Sequence, residues 1–283
     1  MKAEGGRRKD SVATAQTLVT RHSSLVTAFV LGAATVAGFA PFYLFPLPVL
    51  TLAGLIYLWT GARTPRSAAA TGFAFGIGLF LCGVSWIYVS LHDFGAMPAP
   101  VAAATTLLFC AFLALFPAAV GYACARTTLG PLARWGLLAP ALWTLVEWTR
   151  GWIFTGFPWL ALGYSQIPGS PLAGYAPLLG IHGVTLATAA SAGLVVYGWL
   201  AFEKGKGERG KGKNFRARAV SSFILHPSSF ILIAIWATGF GLKQIAWTQP
   251  VGAPLEVSLL QGNVPQDMKW REDRVEEIGR AHV

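Results

Sequence analysis

Seven long stretches of the chain carry few or no charged side chains, and short polar, basic or Gly- and Pro-containing segments separate them. They cover residues 25–42, 45–61, 68–91, 99–125, 135–153, 181–202 and 228–242. A helix of about 20 apolar residues crosses the hydrocarbon layer of a bilayer, so the pattern predicts about seven transmembrane helices. The first stretch follows a polar, basic segment and could be read as a secretion signal, with Val36, Ala37 and Gly38 near a cleavage point. The six further stretches favour a retained helix instead. Residues 221–225 (SSFIL) recur as 228–232, which we read as a short tandem insertion. Pro227 would remove a helix hydrogen bond, so the last span is predicted to start near Ser228.

Composition agrees with the pattern. Only 12% of the 283 residues are charged and 54% are hydrophobic, whereas a soluble domain carries about 25% charged residues. The net charge of +10 would suit a nucleic-acid binder, but it is also expected of a membrane protein whose basic residues gather in cytoplasmic loops. Its distribution decides. With the amino terminus cytoplasmic, the inside segments hold five Lys or Arg in residues 1–24, then Arg63 and Arg66, Arg126 and Arg134, and seven more in residues 203–227. The outside loops hold Arg150 alone until Lys243, so every alternation agrees and no nucleic-acid partner is implied. Residues 204–213 read as a solvated Gly/Lys linker.

Chemistry-bearing residues are sparse. Cys82, Cys110 and Cys124 lie inside apolar runs with no CxxC spacing and no clustered His, which argues against a metal centre or a disulfide framework, and no cofactor is implied. Gly72 and Gly76 form a GxxxG, read as a close approach of two helices. The most informative stretch is 147–166: Glu147-Trp148-Thr149-Arg150-Gly151-Trp152, Gly156-Phe157-Pro158-Trp159-Leu160 and Gly163-Tyr164-Ser165-Gln166. Glu147 and Arg150 stand three apart on one helix face and could pair. Two readings stay open: an interfacial Trp/Tyr belt with a snorkelling ion pair, or an aromatic re-entrant loop that cradles a lipid.

Beyond the last span, residues 255–263 (LEVSLLQGN) read as a strand ending in a Gly-Asn turn, and residues 265–277 as a loop leading into an amphipathic helix. Some forty residues cannot bury a core alone, so this strand expects partners outside the sequence.

At this point the motifs carry a resemblance. Gly78-Leu79-Phe80, Trp86-Ile87-Tyr88-Val89-Ser90, Phe94-Gly95-Ala96-Met97-Pro98, Arg150-Gly151-Trp152, Thr155-Gly156-Phe157-Pro158-Trp159-Leu160, Gly163-Tyr164-Ser165-Gln166 and Gln261-Gly262-Asn263-Val264-Pro265-Gln266 with Lys269-Trp270 resemble the bacterial apolipoprotein N-acyltransferases, in order from about residue 38 to 270. The resemblance implies an inner-membrane acyltransferase. In such an enzyme a cysteine thioester carries an acyl chain from a phospholipid donor to the diacylglyceryl-cysteine at the start of a lipoprotein acceptor. It also implies a periplasmic nitrilase-like domain holding a catalytic Glu, Lys and Cys beyond Val283, so no catalytic residue is named. Glu272, Glu276 and Glu277 lack the family's Trp-Pro-Glu context and are not substitutes. What carries over is a set of substrate-binding candidates: Trp247, Phe157, Pro158, Trp159, Tyr164 and Gln166.

The expected organisation is an α-helical polytopic membrane protein followed by the first strand and helix region of a truncated α/β nitrilase-like domain. Residues 1–24 form a cytoplasmic tail and 25–245 the membrane domain, with the basic cytoplasmic loop 203–227 inside it. Residues 246–277 begin the periplasmic segment, and 278–283 (IGRAHV) resemble a translated sequencing adapter rather than native sequence. The competing classes are a small-molecule transporter, which would need ionisable residues in several spans, and a non-catalytic membrane scaffold.

Overall fold

A computed structural model describes residues 22–208 and 226–259. The amino-terminal tail, most of the basic loop, the Gly-Asn turn, the amphipathic segment 265–277 and the suspected foreign tail lie outside the described residues. The described residues fall into two units, 22–85 with 107–208 and 226–245, and 86–106 with 246–259.

The first unit is helical throughout most of its described length. Helix α1 covers His22–Gly38, α2 Pro46–Thr60 and α3 Pro65–Val84. Pro sits in the first turn of both α2 and α3, where its missing N–H costs nothing, and the Thr64 hydroxyl caps α3 by accepting from the Ser67 N–H at 3.1 Å. Helix α3 stops at Ser85, short of the predicted end at residue 91. A four-residue helix α4, Trp86–Val89, and a π turn, Ser90–Phe94, follow within the second unit. Helix α5 is Ala99–Arg126. A π-helical segment, Leu132–Leu138, runs directly into α6, Ala139–Arg150. Helix α7 is Ala176–Glu208, with its helical geometry broken at Gly180; this fits the predicted start of that span at residue 181. Helix α8, Pro227–Lys243, begins at the proline itself, and the His226 ring caps it by accepting from the Ser228 N–H at 3.3 Å.

Three helical stretches are long and apolar enough to cross a membrane: Pro65–Val84, Ala99–Arg126 and Pro171–Lys204. Three shorter apolar helices accompany them, His22–Gly38, Pro46–Thr60 and Pro227–Lys243. The GxxxG pair works as predicted. A Cβ on Gly72 would meet the Pro117 carbonyl oxygen at 2.5 Å, and one on Gly76 the Ala114 Cα at 2.6 Å, so α3 and α5 touch backbone to backbone.

The second unit shows the main departure from expectation. Residues 255–259 form no strand, and Leu255, Val257 and Leu259 stand 88%, 74% and 92% exposed. A strand needs a neighbour to take its N–H and C=O groups, and among the described residues none is paired with these.

Candidate functional site

Between α6 and α7 the chain makes a 25-residue excursion, residues 151–175, that contains most of the predicted site. It holds three short 3-10 turns, Ile153–Thr155, Leu162–Gln166 and Pro171–Tyr175. Such a segment exposes many backbone polar groups, which burial would penalise unless each finds a partner. Two charged side chains from the end of α6 supply partners.

Glu147 is 6% and Arg150 2% exposed. The Glu147 carboxylate accepts from three donors. Trp143 Nε1–H donates to Oε1 at 2.9 Å, the Leu162 N–H is shared between Oε1 at 2.9 Å and Oε2 at 3.1 Å, and the Thr185 hydroxyl donates to Oε2 at 2.9 Å. Arg150 Nη1 donates to the carbonyls of Phe157, at 2.9 Å, and Trp159. Its guanidinium lies 5.4 Å from the Phe80 ring centroid. One turn of helix therefore presents an anion to an N–H group of the loop and a cation to its carbonyls.

The pairing that the spacing allowed between Glu147 and Arg150 is not formed, and with it goes the snorkelling ion pair, one of the two readings left open. No contact within 4.0 Å joins Glu147 to Arg150 among the described residues, and neither side chain snorkels. The physical reason is competition: charge-assisted bonds to loop backbone groups that would otherwise be buried and unpaired outweigh a pair that leaves those groups unmet.

The clamp holds strained backbone. Phe154, Thr155 and Leu160 have φ values of 50°, 74° and 57°, in the left-handed region that non-Gly residues rarely adopt. Gly156, at φ 86°, is required: a Cβ there would stand 2.1 Å from the Gly151 carbonyl oxygen. The turn that follows is closed by the Phe157 N–H donating to the Arg150 carbonyl at 2.8 Å.

Above the clamp lie the aromatic rings. Phe157 and Trp159 stack with centroids 5.2 Å apart and planes 20° from parallel, and Phe109 meets Phe157 edge-on at 4.9 Å. Trp159 and Tyr164 are 49% and 48% exposed, and Pro158 is exposed beside them. Phe157, Pro158, Trp159 and Tyr164 thus share one loop, as predicted. Gln166 does not present a surface. It is fully buried, and its amide donates to the Phe45 carbonyl and the Ser165 hydroxyl, both at 2.9 Å. Trp247 belongs to the second unit and is 41% exposed. A narrow crevice with room for no more than about one water, about 10 Å³, lies beneath the loop, lined by Leu79, Phe80, Trp143 and Leu160 with Glu147 and Arg150.

Several contributors escaped sequence reasoning. Thr185 sits within an apolar run beside Thr188 and Ser191. Those two return their hydroxyls to carbonyls four residues back, the usual fate of such residues in a helix, whereas Thr185 bridges Glu147 and the Gly163 N–H. Lys243, at the end of α8, donates to the carbonyls of Pro168, Gly169 and Ser170 at 2.6, 3.3 and 3.3 Å and secures the far side of the excursion.

An apolar helical bundle whose long helices can span a bilayer, with a strained aromatic loop clamped by buried charges, is the build of a helical membrane protein. Residues 31–194 match the family model described as the apolipoprotein N-acyltransferase N-terminal domain, and the chain belongs to that family. A curated apolipoprotein N-acyltransferase of Nitrosomonas europaea is 50% identical over 251 residues, covering 89% of this chain and 46% of the relative. Relatives of the same name from Chromobacterium violaceum and Ralstonia nicotianae are each 42% identical, covering 89% and 88% of this chain and 45% and 44% of their own lengths. The chain therefore spans about half the length of the curated relatives it matches.

Proposed function

We propose that this chain is the membrane portion of an apolipoprotein N-acyltransferase. In the complete enzyme a cysteine thiolate attacks an acyl ester of a phospholipid, forms a thioester and releases the lysophospholipid. The α-amino group of a diacylglyceryl-cysteine then attacks the thioester and regenerates the thiolate. The observation that carries the reading is the family match over residues 31–194, supported by 50% identity to the Nitrosomonas europaea relative. The reacting Glu, Lys and Cys implied by the resemblance belong to the portion of the relatives that this chain does not cover. Cys82, Cys110 and Cys124 are assigned no catalytic role, since all three lie within the apolar helices α3 and α5.

The residues present hold and orient lipid. Exposed Trp159 and Tyr164 with the stacked Phe157 offer flat apolar surface at the depth where acyl chains meet headgroups, and Pro158 stiffens the turn between the rings. Gln166 acts from beneath, as a strut between the loop and Phe45. Trp247 supplies a further aromatic surface on the segment after α8. We further propose seven spans with the amino terminus in the cytoplasm of a bacterial inner membrane, residues 203–227 as a cytoplasmic loop, and residues 246–277 as the start of a periplasmic nitrilase-like domain whose later strands would pair 255–263. The basic-residue distribution supports that orientation. Buried Glu147 and Arg150 are consumed by the loop, which leaves a transporter reading without a charged pathway in this region.

The test is a chimera. Residues 1–277 replace the matching part of the Nitrosomonas europaea relative, and N-acylation of a diacylglyceryl peptide is measured in lipid vesicles. Activity supports the reading; a folded chimera that binds neither phospholipid nor peptide contradicts it.

A further inference from the structure

The second half of the excursion, residues 168–175, is joined to α8 at three levels. The Tyr175 hydroxyl donates to the Ile235 carbonyl at 2.8 Å. At Gly174 and Gly239 the two backbones meet, because a Cβ on Gly174 would stand 2.0 Å from the Gly239 carbonyl oxygen and one on Gly239 2.8 Å from that of Pro171. At the last turn, Lys243 Nζ donates to the carbonyls of Pro168, Gly169 and Ser170 at 2.6, 3.3 and 3.3 Å. From Ile235 to Lys243 the joint covers about 12 Å of α8, at 1.5 Å per residue.

A basic side chain in a last helical turn ordinarily serves the free carbonyls of its own helix. Here those of Gly241 and Leu242 are taken by the N–H groups of Gln244 and Ile245, at 3.1 and 3.2 Å, and that of Phe240 by the Gln244 side chain at 3.4 Å. The Lys243 ammonium turns to another element instead, where its three N–H donors meet three successive carbonyls. Lys243 is exposed, so water competes for these bonds and their contribution to overall stability is small. What they fix is a place. The last turn of α8 is held to the excursion, and only Gln244 and Ile245 separate Lys243 from the start of the second unit at Ala246. The other end of the excursion is held by Glu147 and Arg150 of α6, and Phe157, Trp159 and Tyr164 lie between the two anchorages in sequence.

We propose that Lys243 is a positioning residue for acyl transfer, which holds the aromatic loop and the last turn of α8 as one rigid body. This rests on the reading of the chain as the membrane portion of an N-acyltransferase, in which the reacting thiolate belongs to the part that continues beyond α8. The sulfur forms its bond to the ester carbonyl carbon as the bond from that carbon to the lysophospholipid oxygen breaks. For this the loop-held lipid and the thiolate must keep a set separation, and an error of about 1 Å there costs up to about 100-fold in rate. Lys243 contributes no group to the reaction and acts through the excursion it holds.

Spin labels at Tyr164→Cys and Gln244→Cys, in the 283-residue chain with its native cysteines replaced and set in phosphatidylcholine nanodiscs, read the separation directly. The parent is expected to give one narrow distance distribution, Lys243→Met one about twice as wide, and Lys243→Arg, which again offers several N–H donors, a narrow one. In a chimera with the Nitrosomonas europaea relative, Lys243→Met should lower kcat for thioester formation from acyl-labelled phospholipid about ten-fold with KM unchanged. Lys243→Arg should restore most of the rate, and melting midpoints establish that each variant is folded. Unchanged width or unchanged kcat in folded Lys243→Met would overturn the proposal, and so would a loss carried by KM alone, which marks a lipid contact instead. A parent chimera that forms no thioester removes the acyl-transfer reading, whereas the label distances still decide the coupling: a broadened distribution retains it and a narrow one overturns it.

Discussion

The Thr185 hydroxyl donates to Glu147 Oε2 at 2.9 Å and accepts from the Gly163 N–H at 3.0 Å, so one side chain of α7 joins the buried carboxylate of α6 to the backbone of the aromatic loop. Thr185 is fully buried. Replacing it with Val keeps the shape but leaves the Gly163 N–H and one carboxylate lone pair unmet. The expected loss is about 1–3 kcal/mol of stability for a buried donor left unsatisfied, read as a lower melting midpoint of the purified chain. Thr185→Ser restores the hydroxyl and should recover most of it. Equal midpoints for Val and Ser would remove Thr185 from the account.

Arg150→Lys tests the fork. A lysine keeps the charge, but its single ammonium lacks the planar spread of donors that seats against Phe80 and two carbonyls at once. With the native cysteines replaced and a single Cys at position 159, maleimide labelling of the Lys variant should run several-fold faster than in its Arg150 parent. Labelling at the parent rate would show that the loop holds its shape without the fork.

Gly156→Ala places a Cβ against the Gly151 carbonyl in a backbone conformation that L residues avoid. The expected cost is about 1–3 kcal/mol, concentrated in the loop. Chymotryptic cleavage near Phe154 and Trp159 should accelerate while the helices stay protected.

Gly76→Val should act more broadly. Its added side chain meets the α5 backbone at Ala114, where nothing can rotate away, so α3 and α5 must separate. A reduced yield of monodisperse protein and a lower melting midpoint are expected. The control Gly61→Ala, where a Cβ meets nothing closer than 3.8 Å, should leave both unchanged.

What could be read from the sequence follows from what each interaction depends on. Apolar runs report burial or lipid exposure directly, so the helices α1, α2, α5, α7 and α8 fall close to their predicted stretches, and the Gly72 and Gly76 contact follows from small side chains at a fixed spacing. The aromatic loop was visible in Phe157, Pro158, Trp159 and Tyr164. The polarity of the clamp was not: a spacing of three residues makes Glu147 and Arg150 neighbours, but only the path of residues 157–163 shows that backbone groups displace the pair. Thr185 and Lys243 were illegible for a related reason, since their partners lie 38 and up to 75 residues away. The strand expected at 255–263 was read from β-forming side chains, and over 255–259 those residues lack the neighbour that would make it a strand.

The most direct measurement of the central claim follows an acyl chain. Chimera and isolated 283-residue chain are each incubated with phospholipid labelled in its acyl group, and protein-bound label is tested for release by neutral hydroxylamine, which cleaves thioesters. The account predicts a labelled, hydroxylamine-sensitive chimera whose label passes to an added diacylglyceryl-cysteine peptide, and no stable label on the isolated chain. A folded chimera that stays unlabelled, or an isolated chain that acquires the thioester on Cys82, Cys110 or Cys124, would contradict it.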